Sequence, residues 1–520
     1  MLSGLVHLAR LARVGFVMAR EGALGLIDPA GLPPAARGAL WAARLIERRN
    51  VQGSRLVHAL TRLGPTYVKL GQFLATRPDV VGIAVARELE ALQDRMAPFP
   101  DAQARAIVEK ALGKPVSEAF ESFSEPVAAA SVAQVHKATL RGPDGATHAR
   151  AVKVMRPGVR ARFATDIQAM LFIGRMMERF SEEARRLHPV ASMLGFERSV
   201  MLETDFRLEA AALSELAENT RNDHGFRTPA VDWERTGREV LVTEWIDGVP
   251  LSDRAAVAAT GHDLPVLARA IMQSFLRQAL RDGFFHADMH QGNLFVDAQG
   301  DIVAVDCGIM GRLGFKERRV LAEILYGFIT RDYMRVAEVH FEAGYVPANH
   351  SVAEFAQAIR AIGEPIHDRP ASEISMAKLL TLLFEITGLF DMHTRTELVL
   401  LQKTMIVVEG VSRGLDPDFD MWATSEPVIR EWIERNLGPL GQFAEGGKGL
   451  RAIGRAALDL PDMLARIERI ATQAELAATQ GVQLSAASVE AIGQAEARRN
   501  RWNAAALWII AGLLALAILR

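Results

Sequence analysis

Apolar residues recur at helical spacing through residues 1–110, and Gly64-Pro65, Arg77-Pro78 and Pro98-Phe99-Pro100 break the run. This predicts a helical N-terminal region of several pieces. Leu5, Leu8, Leu11 and Phe16 share one face of its first helix, and His7, Arg10 and Arg13 interrupt any leader-like run. From 111 to 250 the pattern mixes. Val127–Thr139 and His148–Val154 carry strand character around the turn Arg141-Gly142-Pro143-Asp144-Gly145, and 160–220 reads as long charged helix. Val240-Leu241-Val242-Thr243 is a further strand that runs into Glu244-Trp245-Ile246-Asp247-Gly248. Residues 251–440 are mainly helical apart from 285–310, and 441–501 is an amphipathic, Ala-, Glu- and Arg-rich helical stretch.

The end of the chain is different. Ala504 to Leu519 carries no charge, and Trp502 to Leu519 would span roughly 27 Å as a helix, against a bilayer core of about 30 Å. Arg498, Arg499 and Arg501 precede it. The pattern predicts a membrane helix over 502–519, spanning or lying in the interface, with the large N-terminal part cytoplasmic.

Charge adds little: 60 Lys+Arg against 62 Asp+Glu gives −2, so nothing points to nucleic acid. The single cysteine, Cys307, excludes an intramolecular disulfide and a cysteine-built zinc site.

Candidate chemistry centres on Phe285-His286-Ala287-Asp288-Met289-His290-Gln291-Gly292-Asn293, followed by Asp306-Cys307-Gly308. Asp288 and Asn293 have kinase catalytic-loop spacing, in which the Asp orients a hydroxyl or water and the Asn holds a metal ion. Asp306 falls where a second Mg²⁺ ligand belongs. Phosphoryl transfer needs such hard oxygen ligands because charge on the phosphate oxygens must be neutralised. Upstream, Lys153 sits in the apolar strand Ala151-Val152-Lys153-Val154, where a buried ammonium needs an anion. The small residues of Val127-Ala128-Ala129-Ala130-Ser131-Val132-Ala133-Gln134-Val135-His136 would let backbone N–H groups approach phosphates, in a loop stiffer than a glycine loop. Glu203 and Glu209, six apart in one predicted helix, face different directions and could reach two different cations. Lys69 and Gln72 share a helix face.

Together these residues resemble the UbiB family of atypical kinase-like proteins, which includes the ADCK proteins of mitochondria. The resemblance runs from about Gly64 to Gly311. Lys69-Leu70-Gly71-Gln72 is similar to the family's Lys-x-Gly-Gln signature, Ala128–Ser131 to its alanine-rich nucleotide loop, and Glu203-Thr204-Asp205 to its Glu-x-Asp signature. The resemblance implies an α+β, bilobal kinase-like fold: helical extension 1–110, N-lobe 111–250, C-lobe 251–440. It implies that Lys153 pairs with Glu209 and Lys69 with Glu203, that Asp205 belongs to the same regulatory set, that Asp288 is catalytic, and that Asn293 and Asp306 hold Mg²⁺. Glu244 to Ile246 would supply backbone contacts to adenine. Cys307 departs from the usual phenylalanine after the metal-binding Asp.

The implied activity is an ATP- and Mg²⁺-dependent ATPase or small-molecule kinase at the bacterial inner membrane, supporting ubiquinone biosynthesis. The implied partners are membrane lipid, polyprenyl-phenol precursors and other proteins of that pathway; a homodimer is left open. Three alternatives stand beside it: a protein kinase, a component of 2-polyprenylphenol 6-hydroxylase, and a nucleotide-binding scaffold. The hydroxylase reading lacks a Gly-x-Gly-x-x-Gly after an N-terminal strand and a two-histidine carboxylate set.

Overall fold

Helices occupy the N-terminal region: α1 (Leu2–Arg20), α2 (Arg55–Leu63), α3 (Pro65–Ala75) and α4 (Ile83–Leu89). The structure is a computed structural model that describes residues 2–26, 54–75, 96–142, 145–180, 188–367 and 396–437, with shorter stretches within 37–48, 81–92 and 386–392. Ser54 caps α2 by accepting from Val57 N–H, and Gly64-Pro65 turns the chain into α3. Leu56, Ala59, Leu60, Ala75, Leu89 and Leu92 give this region its own core. Arg10 of α1 reaches Asp166 Oδ1 at 2.6 Å.

Two further helices, α5 (Asp101–Leu112) and α6 (Val116–Ala119), lead into the first sheet. It is built from β1 (Ser122–Ala129), β2 (Ala133–Arg141) and β3 (Thr147–Met155), with β5 (Val240–Glu244) added antiparallel to β3. Val152, Val154, Val240 and Val242 point to one face and pack on Phe99, Ala104, Val108 and Val116. Side chains alternate along a strand, so Lys153 is turned to the opposite face. Thus α5, at the end of the expected extension, belongs to the core of this sheet.

Between β3 and β5 run α7 (Val159–Phe180), α8 (Pro189–Glu203), α9 (Phe206–Thr220) and the short β4 (Phe226–Arg227). The expected continuous helix through Glu203 and Glu209 does not form. Thr204 ends α8, and Asp205 caps α9 by accepting from Arg207 N–H.

The second lobe carries β6 (Gly248–Pro250), α10 (Arg254–Ala259) and α11 (Leu264–Leu276), which passes into a π-helical turn at Arg277–Asp282. Then come β7 (Phe284–His286), β8 (Leu294–Asp297), β9 (Ile302–Ala304) and β10 (Met310–Arg312). Two small sheets result, ordered β4-β9-β8-β6 and β10-β7. Helices α12 (Phe315–Thr330), α13 (Tyr333–Glu342), α14 (Val352–His367), α15 (Thr396–Leu415) and α16 (Met421–Leu437) complete the described chain.

The chain divides into two compact units, Met1–Ile433 and Glu434–Arg520. Among the described residues no helix is long and apolar enough to cross a membrane. The amphipathic region 441–501 and the expected membrane helix 502–519 lie outside the described residues.

Candidate active site

Lys153 projects from the centre of the first sheet into the cleft. Its Nζ lies 2.7 Å from Glu209 Oε1 and 3.1 Å from Asp306 Oδ2, and 5.5 Å from the centre of the Phe206 ring. Glu209 is in the first turn of α9, near the positive end of the helix dipole. Strand, helix and second-lobe loop therefore meet at one ammonium.

The second lobe builds its side of the cleft from backbone outward. Gln278, on the π-helical turn, accepts from His286 N–H at 3.1 Å. His286 Nδ1 accepts from Asp288 N–H at 3.0 Å, which fixes its proton on Nε2. Burial pushes the His286 pKa down, so the ring stays neutral. Asn293 Nδ2 donates to Asp288 O at 3.1 Å, and Val305 N–H donates to Asn293 O at 3.0 Å. Those two bonds tie the segments of Asp288, Asn293 and Asp306 together. Thr404 of α15 donates to Ala287 O at 3.0 Å from behind. A Cβ on Gly311 would lie 2.1 Å from the Phe285 ring, so β10 can pair with β7 here only as glycine.

One ammonium between two carboxylates sets the charges. Burial opposes charge on Lys153, but Asp306 and Glu209 outweigh it and hold the ammonium well above the ordinary lysine range. At Asp306 burial is likewise outweighed, by Lys153 and by the Gly308 N–H at 2.9 Å, and the carboxyl lies well below its usual range. Glu209 is the opposite case. Burial, with Asp306 adding to it against Lys153, pushes its carboxyl up to about 7. Among the described residues no group of three or more His, Cys, Asp or Glu side chains forms a metal site. Asn293 and Asp306 supply one amide and one carboxylate. That set suits Mg²⁺, which takes few protein ligands and completes its shell with phosphate oxygens and water.

A second pair lies beside the first. Lys69 Nζ of α3 is 2.8 Å from Glu203 Oε2, both largely buried. Lys69 is also among the charges that lower Asp306, so the N-terminal region reaches the same cleft. Gln72 is on the same helix and half-buried. Gly71 has a packing role: a Cβ there would lie 2.2 Å from Leu92 Cδ1 and 2.9 Å from Leu60 Cδ1. Asp205 receives Arg207 at 2.7 Å and Arg238 at 3.5 Å.

The alanine-rich segment is a tight hairpin. Ala128 and Ala129 end β1, Ala133 begins β2, and Ala130 N–H donates to Ala133 O at 2.8 Å around Ser131 and Val132. No residue in it has positive φ. Arg156 locks it, donating to Ala130 O and to Ala97 O at 2.8 Å each, while Met96 N–H donates to Ala129 O at 3.1 Å. Gln134 and His136 are fully buried and belong to the scaffold. His136 Nδ1 donates to Ser124 O at 2.8 Å, its Nε2 faces Gln134 Nε2 at 2.9 Å, and Gln134 Oε1 accepts from Phe99 N–H at 2.9 Å. They therefore do not line a nucleotide site; Val135, between them, is half-buried on the other face. The amide of Glu244 donates to Ala230 O at 2.8 Å and its carboxylate holds Arg227 at 3.1 Å, which leaves its carbonyl oxygen as the group for a backbone contact to adenine. Ile246 remains in the connection between lobes, nearly buried.

Sequence reasoning missed the supports: Arg156, Gln278, Thr404, and Arg227, which bridges Glu244 and buried Asp297. Only the arginines gave a signal, as charges beside strand ends.

Residues 91–340 match the ABC1 atypical kinase-like domain and 359–420 the UbiB helical domain. A probable protein kinase UbiB of Marinobacter nauticus is 43% identical over 75% of this chain and 72% of its own length. One of Pseudomonas putida is 40% identical over 80% and 78%. Among solved structures, Rv3197 of Mycobacterium tuberculosis, in complex with erythromycin, superposes with a TM-score of 0.50 at 23% identity, covering 76% of this chain and 97% of that one. That likeness concerns the fold alone.

Proposed function

Because the chain belongs to the UbiB family of ABC1 atypical kinase-like proteins, we propose that it is a membrane-anchored, Mg²⁺-dependent ATPase or small-molecule kinase supporting ubiquinone biosynthesis. The observation that carries this reading is the convergence of Lys153, Glu209 and Asp306 beside the Asp288–Asn293 loop. Lys153, held in place by Glu209, orients phosphate oxygens. Asn293 and Asp306 hold Mg²⁺, which supplies charge neutralisation on the phosphates. Asp288 accepts a hydrogen bond from the attacking water or hydroxyl and orients it. The tip Ala130–Val132, fixed by Arg156, offers a preset backbone surface to the triphosphate. Positioning and electrostatics are the whole of the proposed catalysis.

The relatives' name favours a protein hydroxyl as acceptor. Against it, α3 brings Lys69 onto Glu203 and close enough to influence Asp306, which narrows the approach for a folded substrate. We therefore favour water or a small acceptor. The expected membrane helix keeps the protein at the bacterial inner membrane, where ATP turnover would help expose polyprenyl-phenol intermediates too apolar to leave lipid unaided. The test is ATP hydrolysis with and without liposomes and phenolic precursors, for wild type and Asp306→Asn. The reading requires turnover that lipid or precursor stimulates and that Asp306→Asn abolishes. Turnover indifferent to both additions ends the membrane part of it, and an active Asp306→Asn ends the metal assignment.

A further inference from the structure

Helices α7 and α8 form a hairpin that closes tightly at Gly174, where a Cβ would lie 3.3 Å from Val190 Cγ2. Phe163, Ile167 and Leu171 of α7, and Phe196 and Val200 of α8, are buried. The outer side is apolar too. On α7, Phe172 (45% exposed), Ile173, Met176 and Met177 follow one another at helical spacing. On α8, Leu194, Met201 and Leu202 (60% exposed) do the same, and Leu208 follows at the start of α9. Single exposed apolar residues are ordinary on a protein surface; eight large ones on one hairpin and its exit are not.

Arginines border this face. Arg198 shares the helical face of Leu194 and Met201, and Arg175 and Arg179 run beside the α7 row; all three are exposed. At the end carrying Leu202 and Leu208, Arg207 and Arg238 converge on Asp205. Of the described acids on the two helices, Asp166 is paired with Arg10 and Glu203 with Lys69, Glu178 is engaged by Val190 N–H, and Glu197 is half-buried.

We propose that the exposed face of the α7–α8 hairpin is a docking surface for an anionic phospholipid bilayer. Aromatic and methionine side chains enter the boundary between headgroups and acyl chains, and the arginines at the rim meet lipid phosphates. Charge selects this occupant over a second copy of the chain, because a two-fold contact would set one arginine rim against the other. The surface adds a contact that orients the cleft, independently of the nucleotide chemistry and of residues 502–519.

The test uses the full chain. Cys307 is buried, so an introduced surface cysteine takes a thiol label selectively. An environment-sensitive fluorophore goes on Met177→Cys, on Leu194→Cys and, as control, on exposed Asp418→Cys of the second lobe. Each is mixed, without nucleotide, with phosphatidylcholine vesicles or with vesicles containing phosphatidylglycerol. The expected result is a blue shift at 177 and 194, with anionic vesicles only, and none at 418. Arg175→Gln with Arg198→Gln raises the lipid concentration for half the shift by about 25-fold, at about fivefold per charge removed. Labels silent toward anionic vesicles, or equally responsive to neutral ones, overturn the proposal. A label in apolar surroundings before lipid is added also overturns it: a second copy covers the face if dilution reverses the signal, and the chain's own residues do if dilution leaves it unchanged.

Discussion

Lys153 Nζ lies 3.1 Å from Asp306 Oδ2, so a strand lysine of one lobe touches a loop carboxylate of the other. The same ammonium is 2.7 Å from Glu209. Lys153 therefore joins the lobes and the helix at a single charge, and its substitution carries a structural cost beside any catalytic one.

Lys153→Met leaves Glu209 and Asp306 facing each other without a cation. Removing one partner of a buried pair costs about 3–5 kcal/mol. Glu209 can take up a proton in response, which places the loss near the lower figure. Chemical unfolding of wild type and variant at neutral pH measures it, and a loss below about 1 kcal/mol contradicts the buried pairing. Nucleotide turnover is lost as well.

Glu209 also sets a pH dependence. Its folded pKa is raised, from an ordinary 4.5 to about 7. Between those values the folded state holds a proton that the unfolded chain has released. Its contribution is fully present below about 4.5 and is lost as pH rises through about 7. The stability of wild type relative to Glu209→Gln therefore declines between pH 5 and 7.5. Thermal melts of the two proteins across that range decide it; a flat difference removes the raised carboxyl.

Gly71→Ala isolates the packing role of the Lys-x-Gly-Gln signature. In a free helix alanine is better by about 1 kcal/mol. Here the added methyl meets Leu92 and Leu60 inside van der Waals distance. Overpacking of about 1–3 kcal/mol outweighs the propensity gain. The melting temperature should fall, and a rise would show that α2 and the Leu92 segment yield easily.

Much of the grouping of residues in this cleft was legible because a kinase-like pattern fixes residue type and spacing together. Asp288 and Asn293 are constrained by one short loop, and Lys153 by strand parity against Val152 and Val154. The break between Glu203 and Glu209 was harder to see, since both flanks have helical composition. Its local signal was Asp205 before an amphipathic run, an N-cap pattern. The places of Gln134, His136 and the Glu244 side chain were not legible. They depend on Phe99, Ser124, Ala230 and Arg227, brought together only when the sheet forms. Small residues near a nucleotide loop look alike in sequence whether they face the ligand or the core.

The buried chain Ser124–His136–Gln134–Phe99 gives the last prediction. Gln134→Leu deprives the Phe99 N–H of its acceptor and costs about 1–3 kcal/mol. His136→Phe keeps a ring stacked on Phe123, whose centre is 4.5 Å away, but cannot titrate. Burial lowers the His136 pKa below its ordinary 6.5, against the pull of Ser124 and Asp101. The unfolded chain therefore takes up a proton that the folded protein refuses, and wild type loses stability as pH falls below about 6.5. Protonation would also put an N–H on Nε2, facing the Gln134 amide N–H. The phenylalanine variant escapes this penalty. The stability difference between wild type and His136→Phe should move toward the variant from pH 7 to 5, measured by urea unfolding at each pH. Parallel curves would mean that His136 keeps an ordinary pKa and that the chain of bonds tolerates its charge.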